Sequence, residues 1–163
     1  MKRIKMILIA MMAVAAVGVV GAGSASASQV DMTLSGTVAG VSITPCQATL
    51  TTTGGPPPAS TTLVGSSFVG TPGSANPCDP TSLQITNNPV ASFSGSGPYT
   101  ATINQIRVKD LTTTGCTFVA SATSLSSLGT VLGPYNGTDT APGSGFLCSI
   151  LTANITVANA VFS

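Results

Sequence analysis

The chain has 163 residues, of which 43% are hydrophobic and only 6% are charged. It contains no histidine, which excludes the Ser-His-Asp and Cys-His arrangements of hydrolases and removes the commonest acid–base group near neutral pH. It also contains no glutamate, and its few cations form no basic surface that would neutralise nucleic acid phosphates. We therefore expect no catalytic residues and no nucleic acid partner.

The N-terminus has the pattern of a secretory signal peptide. Three cations within the first five residues precede an apolar segment over residues 6–20, and small residues follow up to Ala27. The apolar segment is short for a transmembrane helix. We therefore expect residues 1–27 to be removed and residues 28–163 to form the mature chain.

The mature chain keeps two cations against four aspartates, so its net charge is −2. It has no polybasic or amphipathic helical stretch of the kind that peripheral membrane binding uses. We therefore expect a protein that is secreted, either extracellular or loosely associated with the cell envelope, with no membrane insertion of the mature chain.

The composition of residues 28–163 is typical of an all-β protein. Large apolar residues recur at short intervals between clusters of Gly, Pro, Ser, Thr and Asn. Thr and Val favour pleated surfaces, whereas frequent Gly and Pro interrupt helices. The length suits one domain, and we predict a single β-sandwich in which two sheets pack face to face.

Strand-like alternation recurs along the chain. In residues 30–46 the apolar positions share one parity up to Val38 and the other parity from Val41, and this change predicts a β-bulge at residues 39–40. Regular alternation is also found at residues 82–86, 106–108 and 151–157. The segment 121–130 alone suggests a helical turn.

Three segments rich in Gly, Pro and Thr are predicted to be loops, namely residues 51–60, 70–80 and 133–145. Asn136-Gly137 is a hairpin turn signal. Loops held by a rigid scaffold commonly carry binding residues. The candidate contact residues are Pro56, Pro57, Asp79, Tyr135, Asn136 and Asp139. The simpler explanation is that these loops are solvated connections and the two aspartates are turn residues, and Tyr135 is equally explained as a partly buried core residue.

Four cysteines allow three pairings. Cys46 and Cys78 are 32 positions apart, Cys116 and Cys148 are also 32 apart, and the two pairs are offset by 70 positions. The equal spacing indicates an internal repeat of about residues 28–97 and 98–163, which favours disulfides within each pair. Without histidine or a Cys-x-x-Cys motif the cysteines do not match a zinc site, so we expect no metal and no cofactor.

The sequence "SASA" at residues 24–27 and "LSGTVAGVSITPC" at residues 34–46 resemble the secreted, Gly/Ser/Thr-rich, disulfide-bridged β-proteins of actinobacteria. The resemblance implies an extracellular β-sandwich and assigns no activity. The mature chain is also similar in size to the apo-chromoprotein carriers related to neocarzinostatin. Their bridges close short loops, whereas the bridges expected here close long ones, so no site residues are carried over.

Three functions fit these features. The first is a structural or interaction protein of the cell exterior, because few charges leave little repulsion against self-association or against a cell-envelope polymer. The second is a carrier of a small apolar ligand, which requires an apolar cavity. The third is a protease inhibitor, which requires a rigid, protruding loop at residues 70–80.

Overall fold

The structure is a computed structural model that describes residues 29–54, 57–112 and 114–163. The predicted signal peptide and Pro56 lie outside the described residues. The described chain forms strands and one 3-10 helix, Gly65–Ser67, so the prediction of an all-β fold is confirmed. The strands are β1 (Gln29–Val38), β2 (Val41–Gly54), β3 (Thr61–Leu63), β4 (Val69–Gly70), β5 (Leu83–Ile85), β6 (Val90–Gly95), β7 (Tyr99–Ile103), β8 (Ile106–Asp110), β9 (Thr117–Ala120), β10 (Thr123–Ser127), β11 (Tyr135–Ser144) and β12 (Thr152–Phe162).

Eight antiparallel strands close into a barrel in the order β10-β7-β6-β3-β2-β1-β12-β11, and β11 returns to β10 through the pair Ser126 and Asn136. The prediction of a β-sandwich was therefore wrong. The long strand β2 pairs with β1 and, near its end, with β3, and β11 pairs with β12 and β10. Because each of them has a neighbour on both sides, the hydrogen bonding continues around the barrel. Closure also removes the free edges that two separate sheets would leave.

Three further strands, β9, β8 and β5, continue from the C-terminal part of β11, where Gly143 pairs with Phe118. We call these three strands the leaf. The apolar side chains of the leaf pack against the same buried clusters as the inner residues of the barrel. The leaf therefore covers one side of the barrel interior.

Both predicted disulfides are confirmed. Cys46 is joined to Cys78 with 4.8 Å between their Cα atoms, and Cys116 is joined to Cys148 with 5.8 Å between theirs. The pairs indicate an oxidising, extracellular environment. The internal repeat stays a prediction, and the 70-residue offset places β1 on residues 99–108, which span the two strands β7 and β8.

The dipeptide Ala39-Gly40 forms a hairpin turn, so the predicted bulge at this position was wrong. Val38 of β1 pairs with Val41 of β2, and φ is 50° at Ala39 and 80° at Gly40. Positive φ at both central residues is the geometry of the two-residue turn that matches strand twist. The parity change in the sequence therefore marks a reversal of the chain.

The segment 133–145 is mostly strand β11, so its prediction as a loop was wrong, and Asn136-Gly137 lies at an irregularity within β11 instead of a turn. A Cβ atom on Gly137 would lie 2.7 Å from the carbonyl oxygen of Ser124 in β10. A glycine is needed here because β10 approaches closely to close the barrel. The predicted helical turn at 121–130 is also wrong, because Thr123–Ser127 is β10.

Candidate functional site: an apolar cavity and its mouth

The barrel and the leaf enclose an apolar cavity of about 90 Å³. One water molecule needs about 10 to 15 Å³ of such space. The cavity therefore has several times the room of a single water, and its lining is almost wholly apolar. Eight-stranded barrels are just wide enough to be filled by side chains or to hold one small ligand.

The barrel wall of the cavity comes from the inward faces of β1, β2, β11 and β12. Side chains that alternate along a strand point to one face, so each strand supplies every second residue. The central strands contribute Met32, Leu34, Val38, Ala153, Ile155 and Val157. Ala141 of β11 and Ala153 of β12 are buried, and their short side chains leave space that larger residues would fill.

The opposite wall of the cavity is the inner face of the leaf. It consists of Leu83, Ile85, Ile106, Val108, Phe118 and Ala120. The predicted strand at residues 82–86 is confirmed as β5, and Leu83 and Ile85 point inward as expected. Lys109 is adjacent to Val108 and pairs with Thr117, so strand alternation directs it to the outer face.

Three polar side chains interrupt the apolar wall, and each is hydrogen-bonded within the protein. The hydroxyl of Thr123 donates to Asp139 Oδ2 at 2.8 Å, and the backbone N–H of Thr140 donates to Asp139 Oδ1 at 2.7 Å. Buried Asp110 accepts hydrogen bonds from the N–H groups of Thr112 at 3.1 Å and Thr114 at 2.7 Å. The cavity thus presents carboxyl oxygens that accept hydrogen bonds and presents no cationic side chain.

A second hollow, of about 160 Å³, adjoins the cavity. It shares Val38, Ile43, Leu83 and Asp110 with the cavity lining. The hollow lies between the tip of the β1–β2 hairpin and the end of the leaf, and Ser42, Ser82 and Thr112 supply polar groups at its rim. We call this hollow the mouth.

The structure separates the candidate contact residues. Asp139 lines the cavity, whereas Asp79 and Asn136 are exposed on the outside. Tyr135 is fully buried and Pro57 is buried, and the burial of Tyr135 fits the alternative that the sequence offered, a core residue. Tyr135 is buried because β11 is a strand at this position and its alternation turns the ring into the barrel.

Asp79 acts within its own loop. Its carboxylate accepts hydrogen bonds from the hydroxyl of Thr81 at 2.7 Å, from the N–H of the same residue at 2.8 Å and from the hydroxyl of Ser82 at 2.9 Å. These bonds, led by the Thr81 hydroxyl, lower the pKa of Asp79 below its ordinary value. The aspartate therefore stabilises a turn, which is the simpler explanation that the sequence offered.

Sequence reasoning did not find the cavity as a site. Its lining residues follow ordinary strand alternation, and they come from strands far apart in the chain. The available signal was the alternation of residues 151–157, which correctly placed Ala153 and Val157 on an inner face. The presence of unfilled space depends on which residues meet across the barrel.

Within residues 29–54, 57–112 and 114–163, no group of three or more metal-binding side chains comes together. Nor does the described part of the chain contain a helix with the length and apolar character needed to cross a membrane. No family model, no curated protein and no solved structure matches this chain. The resemblance to actinobacterial secreted proteins therefore stays a prediction.

Proposed function

We propose that this protein is a secreted, non-enzymatic carrier of a small, predominantly apolar molecule, which it holds in the barrel cavity. The observation that carries the proposal is the apolar cavity between barrel and leaf, with a mouth at one end. Of the three functions considered from the sequence, a structural or interaction role was ranked first. The cavity favours the carrier, because a concave, apolar site with few polar groups is the usual form of a small-molecule site.

The polar groups of the cavity narrow the class of ligand. Asp110 and Asp139 place carboxyl oxygens in the wall, and no cation lies there to balance a ligand anion. A ligand with its own carboxylate would bring a like charge next to these groups in a poorly hydrated site. We therefore expect a neutral ligand, and a hydroxyl group on it would be able to donate to one of these oxygens.

The protease inhibitor alternative finds no support in the geometry of residues 70–80. The N–H groups of Thr71 and Cys78 both donate to the carbonyl oxygen of Gln47, at 3.2 Å and 2.7 Å. The N–H of Gln47 in turn donates to the backbone carbonyl oxygen of Asn76 at 2.8 Å. The loop thus lies along β2, where the Cys46–Cys78 disulfide also fastens it.

The proposal is tested by thermal unfolding of the exported protein in increasing concentrations of toluene, 1-octanol and sodium octanoate. A ligand that binds only the folded state at one hundred times its Kd stabilises the protein by about 2.7 kcal/mol. We expect toluene and 1-octanol to raise Tm in a saturable way at pH 7, and octanoate to raise it less than 1-octanol.

Two variants locate the binding. Ile155 lines the cavity, whereas Val161 of the same strand is 39% exposed and does not line it. Ile155→Phe fills part of the cavity and is expected to remove the ligand-induced rise in Tm, whereas Val161→Phe keeps it. The proposal is wrong if neither neutral probe changes Tm, or if the two variants respond equally.

A further inference from the structure

The turn between β11 and β12 exposes three large apolar side chains. Phe146 is 94% exposed, Leu147 is 80% exposed and Ile150 is 86% exposed. We call these three residues the apolar knob. Most monomeric soluble proteins expose such residues singly, and a contiguous exposed cluster marks an interaction surface.

The backbone beneath the apolar knob is firmly held. The N–H groups of Cys148 and Ser149 donate to the carbonyl oxygen of Gly145 at 3.2 Å and 2.9 Å, and Leu151 N–H donates to Cys148 O at 2.9 Å. The disulfide from Cys148 to Cys116 fastens the turn to the leaf. The knob is therefore a fixed, outward-facing projection and not a frayed loop end.

The apolar knob stands at the same end of the barrel as the mouth. Thr152 follows the turn, and its backbone carbonyl oxygen accepts a hydrogen bond of 3.3 Å from the N–H of Ala39. Ala39 lies at the tip of the β1–β2 hairpin. That hairpin tip forms one side of the mouth. Two more exposed apolar residues, Val41 at 54% and Leu111 at 42%, lie at this end, on the hairpin and on the loop after β8.

We propose that the apolar knob inserts into the surface of a lipid bilayer and so presents the mouth of the cavity to the membrane. Membrane binding was not expected from the sequence, because residues 28–163 contain no polybasic or amphipathic helical stretch. A projecting turn with Phe and Leu achieves the same burial of apolar side chains at the interface. This position would bring the mouth, which shares Val38, Ile43 and Leu83 with the cavity lining, to the bilayer surface.

A second copy of the chain is a poorer occupant for the knob. In a twofold dimer both copies use the same surface patch, so the knob would contribute the same area on each side. Three such side chains offer on the order of 400 Å² per chain, about half of the roughly 800 Å² per partner in a stable interface. A bilayer needs no such complementary surface, because it accommodates a convex projection.

Charge does not drive the docking. Lys109 of the leaf is a cation, whereas Asp110, which lines the mouth, and Asp79, in the loop before β5, are acidic, so this end has no cluster of cations. We therefore expect the protein to bind uncharged phosphatidylcholine vesicles, and to remain bound at high salt, because burial of apolar groups is not screened.

The test uses tryptophan as a reporter, since the chain contains none. Leu147→Trp places the reporter on the knob. Leu128→Trp is the matched control, because Leu128 is 91% exposed and follows β10 at the opposite end of the barrel, near Tyr135. The exported protein is used, with its N-terminus confirmed by mass spectrometry so that no signal segment contributes to binding.

We expect phosphatidylcholine vesicles with brominated acyl chains to quench the fluorescence of Leu147→Trp and not that of Leu128→Trp. Replacing Phe146, Leu147 and Ile150 together with Ser should lower cosedimentation with the vesicles at least about tenfold, with Tm retained because the three side chains are exposed. Leu128→Ser should not change cosedimentation.

The proposal is overturned if the parent protein does not sediment with the vesicles, if both reporters are quenched equally, or if 1 M salt releases the protein. It is also overturned if ultracentrifugation shows a dimer that the triple Ser replacement dissociates, because a second copy would then cover the knob. Vesicle binding is scored without any cavity ligand, so its failure is distinguishable from failure of the proposed carrier function.

Discussion

At one end of the barrel three aromatic rings fill the interior. The ring of Phe162 lies 5.1 Å from that of Phe93 and 6.0 Å from that of Tyr135, and Phe93 and Tyr135 are 5.9 Å apart. We call this the packed end. At the other end, where Ala141 and Ala153 face the leaf, the apolar cavity remains and shares four lining residues with the mouth.

The same strands build both ends. β1 begins at the packed end, where Val30 pairs with Phe162, and reaches the mouth at Val38, which pairs with Ala153. Backbone geometry therefore does not decide which end is filled. The difference lies in side-chain size, because close packing leaves a void wherever small residues meet across a fixed distance. We therefore expect substitutions at the packed end to cost more stability than substitutions around the cavity.

The largest expected difference is between two phenylalanines of equal burial. Phe162 at the packed end is 2% exposed, and Phe118 of the leaf, which lines the cavity, is 1% exposed. We expect Phe162→Ala to lower the free energy of unfolding by about 4 to 5 kcal/mol, since it removes two ring contacts. Phe118→Ala should lower it by about 3 kcal/mol or less, because one side of this ring already lacks neighbours.

Both free energies are measured by urea unfolding with the disulfides intact. The slope of the transition is compared between variants, so that a change in the unfolded state is recognised. A loss for Phe118→Ala equal to or larger than that for Phe162→Ala would show that the cavity wall is as tightly packed as the other end.

A smaller difference is expected when side chains are enlarged. Val30 and Val38 both lie on β1 and are both buried, but only Val38 lines the cavity. We expect Val30→Phe to lower the free energy of unfolding by about 1 to 3 kcal/mol through overpacking. Val38→Phe should change it by less than about 1 kcal/mol in either direction, because the ring enters existing space.

Urea unfolding again provides the measurement for this pair. The same samples are then tested with toluene, whose stabilising effect should decrease in Val38→Phe. Equal losses of stability in the two variants would mean that no usable space exists at the mouth end, and the contrast between the two ends would be lost.

The sequence predicted the features that depend on neighbouring residues. Alternation identified the inner positions of β5 and much of β12, and equal cysteine spacing led to the correct disulfides. Each inference needs only the period of a strand or the redox setting of an exported chain.

The structural roles predicted for two glycine-containing dipeptides were wrong. Ala39-Gly40 was predicted to be a bulge and is a turn, and Asn136-Gly137 was predicted to be a turn and lies at an irregularity inside β11. Both a bulge and a turn change the parity of apolar residues, so local pattern does not distinguish them. The deciding fact is the partner strand, which is remote in sequence.

Closure of the barrel and exposure of the knob were beyond the sequence for the same reason. A single pair, Ser126 with Asn136, joins the last two strands of the barrel. The apolar residues beside Cys148 look like core residues, since a disulfide and its apolar neighbours are usually buried. Only the position of the turn outside the barrel shows that Phe146 and Leu147 are exposed.

The smallest expected effects are on the pH dependence of stability, and they too differ between the ends. At the packed end, burial raises the pKa of Tyr135, with a further contribution from the charge of Tyr99, and its hydroxyl donates to Val131 O at 2.7 Å. The folded state then retains this proton at a higher pH than the unfolded state does. Stability from this group is complete below about pH 10 and decreases as the pH rises further.

At the mouth end the lowered pKa of Asp79 acts in the opposite direction. Its contribution is complete above about pH 4 and is lost as the pH falls through the folded pKa. We expect Tyr135→Phe to weaken the alkaline decrease in Tm and Asp79→Asn to weaken the acid decrease, each without changing the other limb. Thermal unfolding between pH 2 and 12 measures both limbs. A change on the wrong limb in either variant would mean that the two ends are not energetically separate, because titration at one end would then alter the folding of the other.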